Sequence, residues 1–305
     1  MQLDAAPWDG DLHTMIVYAS KTGVGFRHLE RLRGTALRLL FVTVVFLLGA
    51  ASAFAAPEAE LWPRWEEYDP ASTVRVDHAA WGDFLDAYLV TNHPSGVNRV
   101  DYGSVSRSDH AALDGYVADL QEVAVSELNR DEQLAYWINL YNAATVKLIL
   151  DNYPVDSIRE IKPGVFASGP WDMELLEIGG EAVTLNDVEH RIIRPIWQDP
   201  RIHYVVNCAS YGCPNLYPEP LSAANWDRVF DESARAYINH PRGVRLERNR
   251  LILSSIYDWY VADFGGDVEG VIAHVSTYVD GDTADQLHAH DGRVAYEYDW
   301  TLNEP

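Results

Sequence analysis

The sequence predicts a helix-rich α+β single domain with a small, mostly antiparallel sheet. Three observations carry that expectation. Segments with helical periodicity outnumber those that alternate like strands, the strand-like stretches come mainly in pairs around turn residues, and one long apolar segment suits a buried central helix.

In chain order, Trp81 to Val90 and His110 to Leu120 have helical periodicity, with Arg99 to Tyr102 as a short extended piece between them. Arg130 to Leu150 reads RDEQLAYWINLYNAATVKLIL, apolar nearly all round and closed by Asn152-Tyr153-Pro154, which makes it the expected central helix. Leu175 to Val183 is centred on Ile178-Gly179-Gly180-Glu181, a two-strand hairpin signal. Thr184-Leu185-Asn186-Asp187 then opens a helix with a capping-box-like pattern, and Pro195 limits its far end. Ile202 to Val206 reads as a short buried strand leading into the two cysteines, and Ser222 to Asn239 as a helix. A second hairpin is expected over Val244 to Leu253 around Arg248-Asn249, followed by helices over Ser254 to Phe264 and Val268 to Val279.

Ahead of these elements, Arg27, Arg31, Arg33 and Arg38 flank the apolar run Leu39 to Ala50, and Ala53-Phe54-Ala55 has a small-x-small cleavage pattern. The run is short of the ~20 residues that cross a bilayer. Residues 1–55 are therefore expected to be an upstream extension plus a secretory signal peptide, cleaved near Ala55, with no stable membrane insertion afterwards. Residues 56–74 form an N-terminal segment, 75–280 the globular domain and 281–305 a C-terminal tail. The stretch Ala56 to Pro70 and the tail both read as loosely attached ends. The expected location is exported, periplasmic or extracellular.

Five of the 23 Lys and Arg and four of the 46 Asp and Glu precede Ala56, leaving 18 against 42 and a formal charge of −24. Such a field disfavours nucleic acid and anionic membrane surfaces as partners. Lysine occurs only at positions 21, 147 and 162, so the remaining cations are almost all arginine and the excess carboxylates lie largely on the surface, as in salt-adapted proteins or a generic acidic exported one.

Candidate chemistry centres on the only two cysteines, Cys208 and Cys213, in Asn207-Cys208-Ala209-Ser210-Tyr211-Gly212-Cys213-Pro214. Three readings stand open: a disulfide that closes a tight loop, a reactive thiol, or metal ligation. A thiol nucleophile needs a base, and His190 is the best candidate. On an α-helix, Asp187, His190 and Arg194 share one polar stripe, while Leu185, Val188 and Ile192 face the core. Asp187 or Glu189 then orients the imidazole, or the stripe is only a surface ion-pair ladder. Asn139 and Asn142 interrupt the central helix and either tie neighbouring backbone or present donors to a ligand. His203 reads as a satisfied core histidine. A zinc site of His190, His203, Cys208 and Cys213 lacks a recognised ligand spacing, so neither metal nor cofactor is expected.

Several stretches together resemble the domain-of-unknown-function 547 family. They are Val100-Asp101-Tyr102, the segment Asp131 to Ala143, Tyr153-Pro154-Val155, Pro170-Trp171, Leu185 to His190, Asp199 to His203, Asn207 to Ser210 with Cys213-Pro214, and Ser255 to Tyr260 with Asp263-Phe264. The resemblance runs in order over roughly Arg75 to Val279. It implies that the Glu-His helix and the double-cysteine loop form one site, and it leaves the reaction unassigned. Gly212 and Asn215 depart from it, where the family pattern implies Ser and a second Pro.

Two functions follow as expectations. In the first, Cys208 attacks an acyl group as a hydrolase or acyl transferase. His190 moves the proton, Asp187 or Glu189 orients it, and amides around Ala209 to Gly212 hold the oxyanion. Asn139, Asn142, Arg194 and Asn207 support that site, with Cys213 as a second thiol. In the alternative, Cys208 and Cys213 are joined in a non-catalytic binding or structural domain. The partner in either case is an unspecified small molecule or peptide.

Overall fold

A computed structural model describes residues 56–164 and 167–305. The expected signal peptide lies outside them. Helix α1 (Ala79–Tyr88) runs into β1 (Leu89–Val90), which pairs antiparallel with β2 (Arg99–Val100). Helix α2 (Arg107–Gln121) begins where the Ser106 hydroxyl accepts the Asp109 N–H, an N-cap that satisfies one of the first-turn donors. Next comes α3 (Arg130–Asn152), capped by Asn129 and with Asp131 and Glu132 in its first turn, where carboxylates suit the helix dipole. Nearly every side chain from Glu132 to Ile149 is buried, as the all-round apolar pattern requires.

Strands β3 (Leu176–Ile178) and β4 (Glu181–Val183) form the expected hairpin. Gly179 and Gly180 both have positive φ, 56° and 79°, the backbone that a two-residue turn matching the strand twist demands. The following helix departs from expectation. Asp187–Ile193 is wound as a π-helix that passes without a break into α4 (Arg194–Trp197), and the chain turns at Gln198 with φ 52°. Pro195 sits in the first turn of α4 and does not end the helix. Lacking an N–H, it gives nothing back to the carbonyls of the preceding turn. The N-terminal segment bonds two carbonyls of that turn: Glu60 N–H bonds the His190 carbonyl (3.0 Å) and Trp62 N–H that of Arg191 (2.9 Å). A segment expected to be loose is thereby docked.

Ile202 to Val206 is not a strand. Pro200–Tyr204 forms a 3₁₀ helix, opened by the Asp199 carboxylate accepting the Arg201 N–H. A short buried apolar run looks the same for either structure, and the Asp-Pro start decides it. Helix α5 (Trp226–Ile238) leads to the antiparallel pair β5 (Val244–Glu247) and β6 (Arg250–Ser254). Then come α6 (Ile256–Trp259), α7 (Val268–Ser276), α8 (Gly281–His288) and β7 (Arg293–Glu297), which adds to β6 in parallel. The stretch after Asp280 is therefore built into the fold. Leu302 and Asn303 are buried and bond the Asp156 and Ala209 carbonyls.

Small antiparallel pairs, one parallel addition and predominant helix make the architecture helix-rich α+β. Two apolar clusters fill it. One surrounds α3 and the other lies among β6, α7 and α8, with Phe230 and Tyr237 of α5 entering one each. Among the described residues, no helix is long and apolar enough to cross a membrane.

Candidate functional site

The cysteine loop is held from below by α3. Asn142 donates through Nδ2 to the Val205 carbonyl (2.9 Å) and accepts the Asn207 N–H (2.8 Å). Asn139, one turn earlier, makes the same two-way grip on Leu221, at 2.9 and 3.0 Å. Both buried amides are thus spent on backbone. Asn207 then shapes the loop itself. Its Oδ1 accepts the Ala209 N–H (2.8 Å), its Nδ2 reaches the Pro214 carbonyl (2.7 Å), and Ala209 is driven to φ 58°, an uncommon conformation for a residue with a Cβ.

Cys208 and Cys213 are joined in a disulfide, and the described residues include no free cysteine. Cys208 is half-buried and Cys213 buried. The Tyr298 hydroxyl donates to Cys213 Sγ (3.1 Å), lies 3.2 Å from Cys208 Sγ and accepts from the Ser210 hydroxyl (3.0 Å). Burial pushes the Tyr298 phenol up, so it remains a donor. The C-terminal segment closes over the loop: Tyr211 N–H bonds the Thr301 carbonyl (2.7 Å) and Gly212 N–H the Asp299 carbonyl (2.8 Å). A Cβ at position 212 would sit 2.8 Å from that same carbonyl oxygen. Glycine is therefore required here, which accounts for one departure from the family pattern.

These bonds bear on the expected oxyanion amides. Ala209, Tyr211 and Gly212 already donate their N–H groups to Asn207, Thr301 and Asp299.

The π-helix carries Glu189 and His190 inward, and both are buried. His190 Nδ1 lies 2.9 Å from Arg194 Nη1, and since a guanidinium only donates, Nδ1 is the acceptor. The imidazole is then neutral with its proton on Nε2. Burial lowers the His190 pKa, with the Arg194 and His203 charges adding to that and Glu189 opposing it. Arg194 also donates Nε to Asp263 (2.7 Å) and Nη1 to the Pro57 carbonyl (2.9 Å). Asp263 in turn accepts from His203 Nε2 (2.7 Å), while His203 Nδ1 faces Glu189 Oε1 at 3.8 Å. The Tyr141 hydroxyl donates to Glu189 Oε2 (3.1 Å), and Tyr260 stacks on His203 at 4.0 Å. Burial alone would raise the carboxyls of Glu189 and Asp263, but the neighbouring His and Arg groups hold both below their usual range.

The structure therefore joins His190 to Arg194 and sets Glu189 against His203, but it does not bring Asp187 to His190. Asp187 caps Thr184 (3.0 and 2.7 Å) and pairs with Arg191 at 2.8 Å. Among the described residues, no hydrogen bond links Cys208 to His190. Sequence reading missed Asp263, Tyr260 and Tyr298. Asp263 and Tyr260 lie in stretches that resemble the family, whereas Tyr298 sits in a segment with no signal beyond composition. His203 is buried as a core histidine would be, but its partner is a carboxylate in this network.

A zinc site of His190, His203 and the two cysteines does not assemble here, because both sulfurs and His190 Nδ1 are engaged. The described His and carboxylate side chains close enough to share a cation are His110, Asp114 and Asp151. Lys147 Nζ already bridges the two aspartates, at 3.2 and 2.6 Å.

The class defined by these observations is a helix-rich α+β domain with a disulfide-closed loop beside a buried ionic cluster. Residues 125–238 match the model of a family described as a protein of unknown function, DUF547, and the chain contains a DUF547 domain. The match takes in α3, the β3–β4 hairpin, the π-helix, the cysteine loop and α5, a narrower span than the resemblance in sequence. No curated protein and no solved structure matches the chain.

Proposed function

We propose that the domain is an exported binding domain, periplasmic or extracellular, in which the Cys208–Cys213 bond locks a recognition loop. The carrying observation is that the main parts of the thiol mechanism are otherwise engaged: the sulfur in the disulfide, the His190 lone pair by Arg194, and the amides of Ala209, Tyr211 and Gly212 by Asn207, Thr301 and Asp299. A disulfide also suits an oxidising compartment, in keeping with the Arg-flanked apolar run before Ala55.

A second reading has its own support. Buried charges are costly, and groups with shifted pKa values concentrate at functional sites. Glu189 and Asp263 are such groups, set around the buried Arg194, and Cys208 is half-exposed. In that reading, reduction frees Cys208 for acyl transfer or amide or ester hydrolysis.

Thiol counting on native protein, followed by labelling with an electrophile with and without reductant, separates the two. The binding reading expects no titratable thiol and no rapid labelling after mild reduction. Selective labelling of Cys208 that is lost in Glu189→Gln would overturn it in favour of the thiol enzyme. N-terminal sequencing of protein recovered outside the cytoplasm tests export, with Ala56 as the expected first residue.

A further inference from the structure

A pocket of about 690 Å³ is lined by residues of the disulfide loop, the β5–β6 hairpin and the end of β7. That volume suits one small organic ligand. Its aromatic lining comes from Tyr211, Tyr298 and Trp300, the last two with ring centroids 4.6 Å apart, and Ile252 and Leu253 add apolar surface.

Two arginines line the same space, and they differ. Arg245 is neutralised, donating to Glu247 (3.0 Å) and Glu297 (2.9 Å). Arg242 has only neutral partners: Nη1 donates to the Tyr211 carbonyl (3.1 Å) and Nη2 to Asn215 Oδ1 (2.6 Å), which leaves each nitrogen a second N–H. Its Nε is buried without a partner. No described carboxylate lies within ion-pair distance of it, and Arg99 adds further positive charge nearby. In a chain with formal charge −23, leaving a partly buried guanidinium without a carboxylate is conspicuous, because desolvating a charge is costly.

An anion from outside meets that need. Its charge is bounded by the other groups lining the pocket. Glu297 is held by Arg245 and Asp299 accepts from Thr301, so the carboxylates lining the pocket repel a dianion about twice as strongly as a monoanion. A planar carboxylate also matches the guanidinium fork.

We propose that this pocket binds a small aromatic monocarboxylate, its carboxylate on Arg242 and its ring against Tyr298 and Trp300. The inference rests on the binding reading above and adds the ligand class. Calorimetric titration of the full chain with 3-phenylpropionate, its neutral counterpart 3-phenylpropanol and inorganic phosphate tests it. The acid is expected to bind at least about tenfold more tightly than the alcohol, the scale of one charge-assisted interaction, and phosphate to bind no better than the alcohol. Arg242→Gln should bring the acid to the level of the alcohol, and Trp300→Ala should weaken both. Equal binding of acid and alcohol, preferential phosphate binding, no binding of any probe, or undiminished acid binding by Arg242→Gln overturns the proposal. The acid–alcohol comparison uses the native chain and stands whether or not the variants fold. Failure here with no reactive thiol leaves the binding reading in place. A labelled Cys208 defeats that reading without altering the outcome of the titration.

Discussion

Arg194 Nη1 donates to His190 Nδ1 at 2.9 Å, and the same guanidinium reaches Asp263 through Nε at 2.7 Å. One buried cation therefore sets the tautomer of the imidazole that the sequence makes the best candidate base. It also neutralises a carboxylate 69 residues further along the chain.

Removing that cation strands its partners. Arg194→Met is expected to cost about 3–5 kcal/mol, as when one member of a buried pair is deleted, and urea unfolding reads the loss directly. If the variant stays folded, the His190 pKa should rise, since burial and the guanidinium both depress it in the native chain. NMR titration of the ring protons follows that shift.

Stability should fall as the solution is acidified. Burial lowers His78 and His274 from 6.5 to about 4, and His190 shifts the same way. Between these values the unfolded chain binds more protons, so stability is full above about 6.5 and declines towards 4. Below that, protonation of Glu189 and Asp263, both depressed in the fold, removes more. Unfolding free energies at neutral pH and near pH ~5 should differ, and His78→Gln should reduce the difference.

Gly212→Ala forces a Cβ to 2.8 Å from the Asp299 oxygen and 2.9 Å from its nitrogen. An overpacking loss of about 1–3 kcal/mol is expected by chemical denaturation, and Gly212→Ser should lose at least as much. Unchanged stability in both would mean that the C-terminal segment yields easily.

Cys213→Ser opens a loop whose ends lie five residues apart, and chain-entropy arguments put the loss near 2 kcal/mol. Native protein treated with reductant should melt close to the variant, while the variant itself should ignore reductant.

Asn142→Ala leaves the Val205 carbonyl and the Asn207 N–H without their partners. A loss of about 3 kcal/mol is expected, because both groups are buried. Faster hydrogen exchange at Asn207 than at positions in α2 would localise the effect to the cysteine loop.

How far the sequence was legible depends on the range of the interactions. The central helix, both hairpins and α5 follow from periodicity and turn chemistry, which act over a few residues. The π-helix did not, because the groups that bond its His190 and Arg191 carbonyls, the N–H groups of Glu60 and Trp62, come from a segment more than a hundred residues away. The 3₁₀ turn at Pro200 lost out to a strand reading for lack of length. Asp187 was placed on the His190 face by α-helical spacing, whereas a wider turn and the Thr184 cap direct it to Arg191. The C-terminal stretch, rich in polar residues, showed nothing of Tyr298, which touches both sulfurs.

By itself, the sequence determined a helix-rich α+β domain of strongly negative charge, with two cysteines close enough to join and a Glu-His pair within the family's motifs. Only the tertiary structure decided which atoms those groups engage. Hydrogen-bond partners from distant segments, such as Arg194 for His190 and Thr301 and Asp299 for the loop amides, consume lone pairs and donors that local patterns leave open. A residue type states what a side chain can donate or accept, and the fold determines what remains for a ligand.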